Sequence, residues 1–136
     1  MVKSSYLVGL LCALTVSAVG AHGIAPTRLQ APSGSKLIGY QFKAMNFLNR
    51  AATYRVECYR NALAFPQPCL AMPKQFRLSA NGSRPFRVRL DTKGKDGLYY
   101  ICTAYIPEAG EASVVTRTCA RFGVGVDPNT KGAEPQ

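Results

Sequence analysis

The sequence predicts an all-β domain, a sandwich of two sheets with about seven strands. Three observations carry that expectation. Helical signals are nearly absent, whereas short runs alternating apolar and polar side chains recur along the chain. Clusters of Gly, Pro and Asn, the residues that turns demand, separate those runs. Seven or so such runs fall within about 115 residues, which suits a two-sheet sandwich.

The elements follow in order. Residues 24–32, IAPTRLQAP, read as an opening edge strand, since Pro26 and Pro32 are tolerated only at an edge or at strand ends. After a turn at Ser33 and Gly34, KLIGYQFKAMN puts Ile38, Tyr40, Phe42 and Ala44 on one face. ATYRVECYR follows, with Tyr54, Val56 and Cys58 inward and Arg55, Glu57 and Tyr59 outward. Residues 61–73, rich in Pro, Ala and Leu and holding Cys69, read as an irregular connection. In FRLSANGSRPFRVRL, Phe76 and Leu78 share one side of a strand, Asn81 and Gly82 make the turn, and Phe86, Val88 and Leu90 share one side of the next. Arg77, Arg87 and Arg89 therefore form a solvated strand face and need no phosphate to explain them. GLYYICTAYIP, apolar on both faces, reads as a central strand, and ASVVTRTCARFGVGV as the last.

Met1–Ala21 has the layout of a secretory signal peptide: Lys3, an apolar run, then small residues. The cut is expected after Ala21, leaving a domain over residues 22–128 and a flexible tail over 129–136. The apolar run is too short to span a bilayer comfortably, and no later stretch approaches the roughly 20 residues of a membrane helix. Leu11 is too bulky for Cys12 to be a lipidation site. The expected location is the periplasm, with secretion as the second choice.

Cys58, Cys69, Cys102 and Cys119 are expected to form two disulfides. Three pairings are open; proximity in the chain favours Cys58 with Cys69 and Cys102 with Cys119, each closing a loop worth ~3 kcal/mol. A four-sulfur zinc site lacks any CxxC pair and suits an exported protein poorly. The net charge of +10 is scattered without a basic run, which argues against a nucleic-acid partner.

No catalytic site is expected. His22 is the only histidine after the leader, so a hydrolytic triad lacks its base and a two-histidine copper site its second ligand. No close carboxylate pair or Gly-rich phosphate loop occurs. The expectation is a non-enzyme without metal or cofactor.

The order of motifs APTRLQ, MPKQFRLSANGSRPFRVRL, GLYYICTAYIP and RFGVGVDP resembles the N-terminal immunoglobulin-like domain of the PapD-like periplasmic chaperones, which assemble pili by the chaperone and usher route. The antibody-type variant is disfavoured, for the chain has no Trp and no cysteine in its second strand. The resemblance implies a chaperone for pilus or fimbrial subunits that acts by edge-strand addition. It makes Arg28 the first residue gripping the subunit's C-terminal carboxylate. Arg121 and Arg117 are both candidates for the second, and a strict alignment to Pro128 lands on Gly123. The donor strand would start at Val114, Val115 and Thr116, with Val114, Thr116, Thr118 and Ala120 on one face and Val115 on the other. Against the family pattern, those side chains are small or polar and a second domain is missing. The alternative is a secreted basic structural or adhesive sandwich that binds acidic surfaces.

Overall fold

The computed structural model describes residues 22–111 and 115–130. Its strands are β1 (His22–Ala25), β2 (Arg28–Ala31), β3 (Leu37–Asn46), β4 (Ala52–Arg60), β5 (Ala62–Pro66), β6 (Cys69–Met72), β7 (Gln75–Leu78), β8 (Ser83–Asp91), β9 (Gly97–Ile106) and β10 (Arg117–Val124). One sheet of four strands runs β1-β3-β8-β6. The other, of six, runs β2-β10-β9-β4-β5, with β7 also on β4. The all-β immunoglobulin-like sandwich expected from the sequence is the observed fold.

Alternation sorts the side chains. Phe42, Phe86, Tyr54, Tyr99, Ile101 and Val124 are buried between the sheets, and the Phe42 and Phe86 rings stack with centroids 5.6 Å apart. Arg77, Arg87 and Arg89 are exposed, whereas Phe76, Leu78, Phe86, Val88 and Leu90 are buried, as the alternation demands. A buried polar post sits among them: the Asn46 amide donates to Arg50 O and Ser79 O at 2.9 and 3.0 Å, while its oxygen accepts from the Tyr54 hydroxyl at 2.8 Å. Those bonds satisfy a side chain that would otherwise cost the core dearly.

Three local expectations change. The opening strand breaks at Pro26, which has no N–H to give a ladder; β1 pairs with β3 and β2 crosses to pair, in parallel, with β10. Residues 61–73 are not irregular but hold β5 and β6, in different sheets. Ladder bonds to β4 and β8 satisfy backbone that composition alone marks as loop. Tyr40 is 47% exposed rather than inward, although Ile38, Phe42 and Ala44 of the same phase are buried; its ring rests edge-on against Phe42, with centroids 5.6 Å apart.

Both disulfides pair as proximity suggests. Cys58–Cys69 ties β4 to β6 across the two sheets. Cys102–Cys119 joins directly opposed residues of β9 and β10, with Cα atoms 4.0 Å apart. Among the described residues no helix is long and apolar enough to cross a membrane.

Candidate protein-binding edge

β10 is flanked unequally on its two sides. On one side it pairs with β9 throughout, from Arg117 to Val124. On the other, β2 pairs only with Arg121–Val124, and no described strand pairs with Arg117–Ala120 there. Thr116 O accepts from Tyr105 N at 3.0 Å, which sets the alternation along β10. The main-chain groups of Arg117, Cys119 and Arg121 therefore point away from β9. At Arg121 that N–H donates to Thr27 O at 2.9 Å, the first bond of the sealed stretch.

Side chains alternate with it. Ala120, Phe122 and Val124 enter the core, leaving Arg117, Cys119, Arg121 and Gly123 on the outer face. Register then sets Arg28 directly beside Arg121, with Tyr100 and Tyr59 continuing the row across β9 and β4. The Arg121 guanidinium lies 5.8 Å from the Tyr100 ring centroid and donates to Thr130 O at 3.4 Å. Arg28 donates to Asn129 Oδ1 at 3.2 Å and to Thr27 O at 3.0 Å. Among the described residues no carboxylate lies within salt-bridge reach of Arg28.

Arg117 is engaged elsewhere. It stands four residues back along β10, about 13 Å from Arg121 at strand rise, and its Nε contacts Glu57 Oε2 at 2.7 Å. Glu57 also takes Arg55 Nη2 at 2.8 Å and the Tyr59 hydroxyl at 2.5 Å. Burial pushes the Glu57 carboxyl up, but these three donors together outweigh it and hold the pKa down at about 2. Gly123 has no room for a longer side chain: a Cβ there would meet Val126 O at 2.2 Å, where the chain folds back over the strand. Of the basic candidates, Arg28 and Arg121 are brought together and Arg117 is not.

Ahead of β10, Val115 is 42% exposed and Thr116 is exposed; Val114 lies outside the described residues. The turn before them is anchored by Glu111, which takes Arg50 Nη2 at 3.1 Å and the Tyr105 hydroxyl at 2.5 Å. Sequence reasoning missed this anchor and the Glu57 cluster. The outward alternation of Arg55, Glu57 and Tyr59 was the available signal for the second. His22 starts β1 as a packed residue: its Nε2 lies 2.9 Å from Thr103 O and its ring 4.9 Å from that of Tyr54.

No protein-family profile and no curated protein sequence matches the chain. Solved structures do. The E. coli chaperone DraB is similar over 74% of this chain and 53% of its own, at 22% identity and a TM-score of 0.58. The SafB chaperone, in a Salmonella enterica structure with the SafA pilin, is similar over 76% of this chain and 53% of that one, at 22% identity and 0.56. A C. elegans MSP family member matches over 76% of this chain and 97% of its own, at 10% identity and 0.55. The chain thus spans about half the length of these chaperones. Its fold is the immunoglobulin-like sandwich of the PapD-like fimbrial chaperones.

Proposed function

We propose that this chain is an exported, periplasmic chaperone-like protein that binds a pilus or fibre subunit by adding the subunit's strand beside residues 115–120. Its cargo is a protein, and its chemistry is binding rather than catalysis. The observation that carries the reading is the register of β2 on β10: the open stretch of β10 ends where Arg28 and Arg121 stand side by side. A guest strand running parallel to β10 along that stretch meets the start of β2 with its C-terminus. Two adjacent guanidiniums suit the terminal carboxylate there, for each offers paired N–H donors to a planar anion. Main-chain bonds at Arg117 and Cys119 supply affinity, and the carboxylate clamp sets where the guest strand stops.

The test is co-purification from the periplasm followed by identification of the bound protein. Arg28→Ala should weaken its binding at least ~tenfold, and Val115→Pro should abolish strand addition, both with little dependence on salt. Retention of the partner by both variants, with affinity falling steeply as salt rises, overturns this reading in favour of a secreted basic adhesive protein.

A further inference from the structure

The far side of the molecule, the outer face of the four-stranded sheet, has no role in that reading. Leu37, Leu70 and Met72 stand there 64%, 58% and 60% exposed. Register interleaves them with cations: Leu70, Arg89 and Gly39 form one row across β6, β8 and β3, and Met72, Arg87 and Gln41 the next. Both rows line one shallow groove. Lys43 shares the face farther along β3, by the same alternation. Among the described residues, Arg87, Arg89 and Lys43 have no carboxylate within salt-bridge reach, and Arg87 bonds only the Gln41 amide oxygen, at 3.3 Å. Asp91, the acidic residue of this face, lies at its end and accepts from Lys93 N at 2.8 Å.

We propose that this face lies on an anionic lipid bilayer, with Leu37, Leu70 and Met72 entering the headgroup layer and Arg87, Arg89 and Lys43 meeting lipid phosphates. The charge pattern selects the occupant. A second copy of the chain would set these cations against their own like. A protein partner typically covers about 800 Å² per side, more than three apolar side chains offer. A bilayer needs only a few inserted side chains flanked by cations, and each cation adds to binding separately. Such a contact would hold the docking edge, on the opposite sheet, facing away from the membrane.

The chain has no tryptophan, so Leu70→Trp gives a single fluorescent reporter. With vesicles of equal phosphatidylglycerol and phosphatidylcholine its emission should shift to the blue, whereas Phe65→Trp, on an exposed residue of the other sheet, should not shift. Vesicles of phosphatidylcholine alone should leave both unchanged. In vesicle sedimentation, Arg87→Gln with Arg89→Gln should weaken binding roughly tenfold or more, and Leu70→Ser with Met72→Ser should also weaken it. Arg55→Gln with Arg77→Gln, which removes equal charge from the other sheet, should change it little. Unchanged Leu70→Trp emission, or equal loss from both arginine pairs, overturns the proposal. So does binding of a polyglutamate peptide through Arg87 and Arg89 without any binding to vesicles. Circular dichroism melts of each variant separate these outcomes from unfolding.

Discussion

The two halves of β10 share a strand and a neighbour in β9, yet are secured by different means. Arg121–Val124 is flanked on both sides, by β2 and β9, and sends Phe122 and Val124 into the core. Arg117–Ala120 has β9 as its only ladder partner among the described residues, sends in just the small Ala120, and is fastened by the Cys102–Cys119 bridge, the Arg117–Glu57 contact and the Thr118 hydroxyl, which donates to His22 O at 3.3 Å. A strand sealed along its whole length could not accept a guest, and one open along its whole length would invite uncontrolled edge pairing. Here core burial anchors one end while a covalent tie and an ion pair hold the other end flat without closing its edge.

That contrast can be broken at either end. Phe122→Ala, in the sealed half, should cost most, ~3 kcal/mol or more in urea denaturation, since it empties a core site. Replacing Cys102 and Cys119 together by Ala should cost ~3 kcal/mol by the loop-entropy estimate, and amide exchange should quicken in the open half more than in the sealed half. Glu57→Gln should cost ~2 kcal/mol at neutral pH, since its carboxyl titrates at about 2 when folded and near 4.3 when unfolded. Because the folded value is depressed, this stability is complete above about pH 5 and fades as pH falls toward about 2. Denaturant midpoints for Glu57→Gln should therefore change less than wild type across that window. Smallest of all, Arg28→Ala should move stability by less than ~0.5 kcal/mol, so a loss of partner binding in that variant would report recognition and not folding.

Much of this arrangement was legible in the sequence. Alternation alone put Tyr54, Val56 and Cys58 inward and Arg77, Arg87 and Arg89 outward, because a strand with one buried face leaves no other phase. The Asn81-Gly82 turn was equally plain: Asn81 has φ 56°, and a Cβ on Gly82 would meet Ser79 Oγ at 2.5 Å. What alternation cannot carry is which strands become neighbours. Nothing local told that β2 runs parallel to β10, so the placing of Arg121 rather than Arg117 beside Arg28 waited for the register. Tyr59 points outward as expected yet is buried, because Tyr100 and Leu98 build a second apolar cluster on that face. Short strands such as β6 also hide in Pro-rich sequence, as their pairing partners lie far along the chain.

The crossing at Pro26 and Thr27 makes residues 22–31 common property of both layers. His22–Ala25 closes one border of the four-stranded sheet and Arg28–Ala31 one border of the six-stranded sheet. Peeling this ribbon away would unbutton both layers at once and lengthen the exposed side of the last strand from half to all of it. The opening segment thus works as a shared hem, and its grip sets how much of the last strand's border stays unpaired.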